Sequence, residues 1–403
     1  MKSASAAMSF IVLVLMAMPV CSLMAQHSPR QTITWQDTVR EYLVHAPQNY
    51  SADRPLPLLF FFHGMGGDIS RYEVFEDFQA IADRYGWLVV LPQALPAVVE
   101  FMGYPVDLGS MWNADLAVPL GDTVYRPNAE VDDAGFVLAL IDSLSEVYPV
   151  DRDSLFVSGV SLGGFFTHRL AIDYTDHFTA AAAVSGYMAT PLARRSPSRH
   201  FNMMHIHGTL DNVVRYDGYS EPLIGMTPLL LGIGVDSTIA YWVRQNDCDS
   251  VPVVDTLPDR VDDGLRFVRY TYLGRSDSAR FQFIKVLGGE HEWYSDTLQH
   301  DVDYIAEIHR FFVGDSSFAP DIPTSGIVEN GDNIVRVYPN PASDRVNVVL
   351  DHPVQMALLD VRGRQISHWN FPAGCSSVSL AGCQAGVYFL RDSQGHVAKL
   401  LVK

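Results

Sequence analysis

The chain has 403 residues, 48% of them hydrophobic and 18% charged, with a formal net charge of −18. That length and apolar content fill a sizeable core and exclude a disordered chain. The acidity speaks against nucleic acid and anionic membrane surfaces as partners, since both would be repelled. The charge is uneven: residues 334–403 hold seven Lys/Arg against four Asp, a balance of +3, which leaves −21 on the first 333 residues.

Residues 1–25 combine Lys2, the apolar run from Met8 to Met18 and small residues up to Ala25, the three-part pattern of a secretory signal peptide. An apolar core of about 11 residues is too short for a bilayer, which takes about 20. Thr32–Trp35 and Arg40–Val44 read as a hairpin. Residues 57–62, Pro-Leu-Leu-Phe-Phe-Phe, form a strand with no polar face, as a strand buried on both sides requires. It runs into His63-Gly64-Met65-Gly66-Gly67. Apolar spacing predicts helices over 72–84 and 136–147, with strands near 87–91, 154–158, 181–185, 202–206, 267–273 and 281–286. Asp132 and Asp133 read as the N-cap of the second helix. Strands alternating with helices predict a mostly parallel sheet covered on both faces.

The most informative segment is Gly159-Val160-Ser161-Leu162-Gly163, between an apolar strand and a helix-compatible run. A serine on so sharp a turn needs small residues two before and two after it, which the glycines supply. Its hydroxyl is a poor nucleophile without a base, and the base needs a carboxylate to fix its tautomer. The strand over 202–206 breaks into a loop carrying Asp211, and the strand over 281–286 breaks into Gly288-Gly289-Glu290-His291. The expected nucleophile, acid and base are therefore Ser161, Asp211 and His291, in the chain order Ser, acid, His. Asp217 is the alternative acid, farther from its strand end. The backbone amides of Met65 and Leu162 are the expected oxyanion donors, with Gly64 the alternative to Met65. Trp112 and Trp293, with Phe101 and Tyr104, are candidates to line a substrate cleft. His63 and His168 read as structural, and His205 and His207 as supports of the acid loop. No His, Cys and carboxylate cluster has metal-ligand spacing and no glycine-rich loop has the Lys-Ser/Thr of a phosphate cradle, so neither metal nor cofactor is expected.

His63-Gly64, Gly159 to Gly164, His207-Gly-Thr-Leu-Asp211-Asn-Val-Val214 and Gly288 to Trp293 resemble the secreted esterases that include polyhydroxybutyrate depolymerases and feruloyl or acetylxylan esterases. Leu91-Pro-Gln-Ala94, Met111-Trp-Asn113 and Val131-Asp-Asp-Ala-Gly-Phe136 are similar to the same family, over about residues 32–313. The resemblance implies an α/β-hydrolase fold and an acyl-enzyme mechanism on a carboxylic ester. It makes the expected substrate a polymer-linked one, a feruloyl or acetyl group on plant polysaccharide, with polyhydroxybutyrate as the alternative. A non-catalytic surface protein on the same framework is the other class to keep. Relatives often carry a cysteine after the His-Gly pair; Met65 stands there, so no disulfide is expected to brace that loop.

Helical spacing continues over residues 301–312, and Gly, Ser and Pro then mark a linker over 314–333. From 334 onward short alternating strands separated by Asn-Pro, Arg-Gly and Gln-Gly turns predict a small antiparallel β-sandwich. Val337-Tyr-Pro-Asn-Pro-Ala-Ser-Asp344, Leu359-Asp-Val-Arg-Gly-Arg364, Gly386-Val-Tyr-Phe-Leu390 and Lys399 to Lys403 resemble the C-terminal sorting domain of the bacterial type IX secretion system. That implies a signal peptide (1–25), an esterase domain (26–313), a linker (314–333) and a sorting domain (334–403). It implies too an extracellular or surface location reached through the secretion machinery. A polymer-binding module is the competing reading of the tail, but Tyr388 and Phe389 fall on opposite faces of one strand and make no platform. Cys21 leaves with the signal, Cys248 is expected free and buried, and the spacing of Cys375 and Cys383 allows a pair.

Overall fold

The computed structural model describes residues 30–71, 78–101, 104–120, 123–220, 229–275, 279–295 and 300–314. In the tail it describes 336–338, 342, 345–350, 353–360, 364–371, 374–380, 383, 386–392 and 397–402. The signal-peptide and linker readings lie outside these residues. The chain divides into two compact units between Phe318 and Ala319.

In the first unit β1 (Gln31–Trp35), β2 (Thr38–His45), β3 (Leu56–Phe62), β4 (Leu88–Pro92), β9 (Val150–Val160), β10 (Ala180–Val184), β11 (Asn202–Gly208), β12 (Val253–Thr256), β13 (Arg266–Leu273) and β14 (Arg280–Leu287) make one sheet. Its order is β1-β2-β4-β3-β9-β10-β11-β14-β13-β12. The six central strands, β4 through β14, are mutually parallel. An antiparallel pair closes each side. This is the α/β-hydrolase arrangement. Two hairpins, β5 (Pro96–Phe101) with β6 (Tyr104–Ser110) and β7 (Val118–Leu120) with β8 (Thr123–Tyr125), stand outside the sheet.

Both faces are covered, which is why β3, β4 and β10 carry almost no polar residues. On one face pack α2 (Asp133–Ser145), α3 (Leu162–Asp173) and α4 (Val235–Gln245), around Phe62, Trp112, Phe136, Phe166 and Trp242. On the other pack α1 (Phe78–Tyr85) and α5 (Tyr304–Val313), around Phe61, Trp87, Phe156 and Phe311. The helix expected over 72–84 is described only from Phe78, residues 72–77 lying outside the described set.

Of the two carboxylates expected to cap α2, only Asp132 does so, accepting the Gly135 amide at 2.9 Å. Asp133 is fully buried, ion-paired to Arg40 at 2.6 Å and accepting the Asn113 amide at 2.7 Å. It ties β2, α2 and the 111–115 loop together. Removing either member would strand the other charge in the core at a cost of about 3–5 kcal/mol.

The second unit has a three-stranded sheet, β15 (Arg336–Tyr338), β16 (Arg345–Leu350) and β19 (Gly374–Ser379), in the order β15-β16-β19. A four-stranded sheet has the order β18-β17-β20-β21, from β17 (Val354–Asp360), β18 (Gln365–Phe371), β20 (Gly386–Asp392) and β21 (Val397–Val402). These strands pair antiparallel throughout, and an isolated bridge between Ala342 and Val402 is parallel. Val346, Val348, Leu358, Val378, Leu390 and Leu400 from both sheets share one core. Tyr388 is buried in it while Phe389 is half-buried, so the two lie on opposite faces of β20. Cys383 carries a free thiol, so it does not make the pair with Cys375 that their spacing allows; Cys248 is a buried thiol that donates to the Tyr272 carbonyl at 3.5 Å.

Candidate active site

β9, β11 and β14 run parallel, so the loops after them open on the same edge of the sheet. Ser161 follows β9, Asp211 follows β11 and His291 follows β14. Ser161 sits at φ 56°, ψ −122° between strand and helix. A non-glycine residue held there costs of order 1–3 kcal/mol and persists only when its surroundings force it. They do: the Ser161 amide donates to the Val184 carbonyl at 2.8 Å, and the Gly164 and Phe165 amides donate to its carbonyl. The glycine requirement is steric. A Cβ at Gly159 would lie 2.5 Å from the Gly163 carbonyl oxygen, and one at Gly163 would overlap the Phe62 carbonyl.

Asp211 and His291 come from loops stitched to one another. The Leu210 amide donates to the Gly289 carbonyl at 2.8 Å, Thr209 to Val286 at 2.9 Å, and Gly288 to the Thr209 hydroxyl at 3.0 Å. His291 Nδ1 lies 2.7 Å from Asp211 Oδ2. The Asp211 side chain is fully buried, whereas that of His291 is 19% exposed. Asp211 Oδ1 accepts the amides of Val213 and Val214 at 3.0 and 2.8 Å. With Oδ1 so held, Oδ2 accepts the His291 Nδ1–H, which leaves Nε2 as the ring nitrogen able to accept. Asp217, the alternative acid, is instead paired with Arg215 at 2.6 Å and is half exposed.

The 63–67 loop is braced from three sides. His63 is buried; its Nε2 accepts the Ala94 amide at 3.1 Å, so its proton is on Nδ1 and donates to the Gly64 carbonyl at 2.7 Å. Gln93, just past β4, accepts the Ile69 amide and donates to the Gly67 carbonyl, both at 3.0 Å. Trp112 Nε1 donates to the His63 carbonyl at 3.0 Å. The Gly66 and Gly67 amides are occupied by Ser110 and Gly64. Among the described residues neither the Met65 amide nor the Leu162 amide donates to any group, which leaves both available to an outside acceptor.

Trp112 departs from expectation. It is fully buried, stacked on Phe166 at 5.1 Å and edge-on to Phe62 at 5.3 Å, with no surface to offer a substrate. Its large ring fills the gap behind the 63–67 loop, so it braces that loop and does not line a cleft. Trp293 is half-buried, edge-on to Phe61 and Tyr304 at 5.3 and 5.4 Å. Tyr104 is 74% exposed on β6, and the Phe101 side chain lies outside the described set.

Against known families, residues 36–215 match a model described as a putative esterase, and residues 336–403 match the secretion system C-terminal sorting domain. Residues 36–215 are an esterase domain. The esterase domain makes the chain a carboxylic-ester hydrolase, and the sorting domain indicates export by the type IX system to the cell surface or beyond. The chain is 27% identical to "Putative esterase NocK" of Nocardia uniformis subsp. tsuyamanensis, over 65% of this chain and 72% of the relative. It is 24% identical to feruloyl esterase B of Piromyces equi, over 54% of this chain but only 37% of that longer protein. Among solved structures, the acetyl xylan esterase from Aspergillus awamori is similar at 17% identity and a TM-score of 0.43, covering 66% of this chain and 94% of that one. No helix among the described residues is long and apolar enough to cross a membrane.

Among the described residues, burial disfavours the charged form of His63, His168, His205 and His207. Burial lowers the imidazole of His63 to about 4 and that of His168 to about 3, and pushes His205 and His207 in the same direction. In an unfolded chain each titrates near ~6.5. Below that pH the unfolded state binds more protons than the folded one, so the stability these residues contribute is complete above pH ~6.5 and is lost as pH falls toward 4. The melting temperature is expected to drop steadily below pH 6.5; a value constant from pH 7 to 4.5 would contradict this burial.

Proposed function

We propose that the chain is a secreted serine esterase that hydrolyses polymer-linked esters through Ser161, His291 and Asp211. The observation carrying this is the 2.7 Å contact between the buried Asp211 carboxylate and the partly exposed His291, on the edge of the sheet where the strained Ser161 turn also opens. Ser161 Oγ attacks the acyl carbonyl while His291 Nε2 takes its proton. The oxyanion that forms is held by the Met65 and Leu162 amides, which leave that carbonyl oxygen a pair of aimed donors. His291 then protonates the departing alkoxide, and the acyl group remains on Ser161. Water, deprotonated by His291, attacks the acyl-enzyme and releases the acid.

Feruloyl or acetyl groups on plant polysaccharide are the proposed substrates, supported by the feruloyl and acetylxylan esterases among the relatives. The domain reading of 26–313 as catalytic and 334–403 as a sorting signal predicts that the tail adds nothing to catalysis. The test assays the full chain and residues 26–313 in parallel on methyl ferulate, acetylated xylan and short hydroxybutyrate oligomers. Turnover of the first two, unchanged by the truncation and by EDTA, is the expected result. Preference for the oligomers would make it a polyester depolymerase, and activity lost on polymer only in the truncated form would make the tail a binding module.

A further inference from the structure

Beyond Ser161, His291 and Asp211, the esterase domain holds a file of buried imidazoles that the proposed mechanism does not use. His168, His205 and His207 are all fully buried. Trp242 Nε1 donates to His168 Nδ1 at 3.1 Å, so the His168 proton is on Nε2, which faces His205 Nδ1 at 3.5 Å. His205 and His207 are two residues apart on β11 and therefore share one face of the sheet; their rings stack at 5.3 Å, 25° from parallel. The opposite side of the file ends on the candidate acid. His207 Nε2 is 2.8 Å from the Val214 carbonyl oxygen and 3.5 Å from Asp211 Oδ2.

A carbonyl can only accept, so the His207 proton is on Nε2 and is donated to Val214, with the Asp211 carboxylate alongside at 3.5 Å. The ring has no freedom to turn away. Tyr187 stacks on it at 5.8 Å, Tyr216 meets it edge-on at 5.9 Å and His205 closes the third side. Asp211 Oδ2 thus faces two imidazoles, His291 from the solvent side and His207 from the core. Val214, whose carbonyl His207 holds, is also the residue whose amide holds Asp211 Oδ1.

We propose that His207 is a positioning residue for the esterase reaction: its Nε2–H, donated to the Val214 carbonyl, fixes the turn whose Val213 and Val214 amides hold the carboxylate that orients His291. This rests on the triad reading above. The groups facing the ring are Asp211, His291, His205, Tyr187 and Tyr216, and Asp211 is the only carboxylate among them. Loss of the N–H lets the Asp211–Val214 turn relax, and a displacement of about 1 Å there can cost about 100-fold in rate.

The test uses the full chain on methyl ferulate. His207→Phe is expected to lower kcat about 10- to 100-fold with KM within twofold, a split that loss of packing alone would not produce. His207→Gln, whose amide nitrogen is the same number of bonds from Cα as Nε2, is expected to restore most of kcat; His207→Asn, one bond shorter, is not. Wild-type kcat in His207→Phe, with only the melting temperature lowered, would overturn the proposal and leave His207 a packing residue. Should His207→Phe fail to fold, nitrogen NMR of the wild-type histidines decides: an Nδ1–H tautomer, or protonation of His207 above pH 6, would overturn it. Ser161→Ala is run alongside. Activity retained there would instead refute the triad reading, so the two failures are separate.

Discussion

Ser161→Ala is expected to fold as the wild type and to lose about 10⁴- to 10⁶-fold in kcat. The loss falls on kcat because the hydroxyl forms the covalent intermediate and contributes nothing comparable to ground-state binding. A residue of turnover above the uncatalysed rate is expected, since the Met65 and Leu162 amides are untouched by the substitution. Folding should be unharmed, and even slightly favoured, because alanine removes no internal bond of the turn: the strand-to-helix contacts at residue 161 are made by its amide and carbonyl. Melting curves with steady-state kinetics check both halves. Activity within tenfold of wild type would place the nucleophile elsewhere.

Asp211→Asn is expected to lower kcat by about 10⁴-fold while leaving the loop in place. Oδ1 can continue to accept the amides of Val213 and Val214, which hold the turn. At the other position an NH₂ replaces Oδ2, and a donor there cannot accept from His291 Nδ1. The imidazole must then carry its proton on Nε2, the nitrogen that has to take the serine proton. The same NH₂ also faces the His207 N–H at close range, so some loss of stability should accompany the loss of rate. Melting curves separate the loss of stability from the loss of kcat/KM, in which the variant should be slow at every pH. A fall of less than tenfold would transfer the acid role, with Asp217 the first candidate.

Much of this was legible in the sequence because the elements concerned obey local rules. Buried parallel strands have no polar face, so the runs at 57–62 and 87–91 stand out, and β3 and β4 fall there within a residue or so. The elbow is legible because two glycines flanking a serine answer a steric demand of the turn itself. Asp211 and His291 follow from strand ends, and the 2.7 Å contact between them is what that placement anticipates. What escaped depends on contacts across long sequence distances. Asp133 looks like half of a helix cap until Arg40, 93 residues earlier, is brought to it by the fold. Trp112 looks like a cleft residue because a tryptophan beside an active-site loop serves equally well as rim or as brace, and only its burial against Phe166 distinguishes them. Gln93 carries a signal that could have been read: a polar residue directly after a fully buried strand, at the edge where loops meet, has backbone groups to satisfy, and it satisfies those of Gly67 and Ile69. The β5–β6 hairpin shows no hydrophobic–polar alternation in the sequence because apolar residues, Val98, Tyr104 and Val106, stand at exposed positions.

The most direct measurement is covalent trapping of the nucleophile. The full chain is treated with an alkyl p-nitrophenyl phosphonate, whose tetrahedral adduct occupies the place of the acyl intermediate, and the adduct is located by peptide mass spectrometry. One equivalent of p-nitrophenolate released, one adduct on the peptide containing Ser161, esterase activity lost in step, and no adduct in His291→Ala are the results expected of a Ser161–His291–Asp211 esterase. An adduct on any other residue that tracks the loss of activity, or full activity with Ser161 modified, would contradict it.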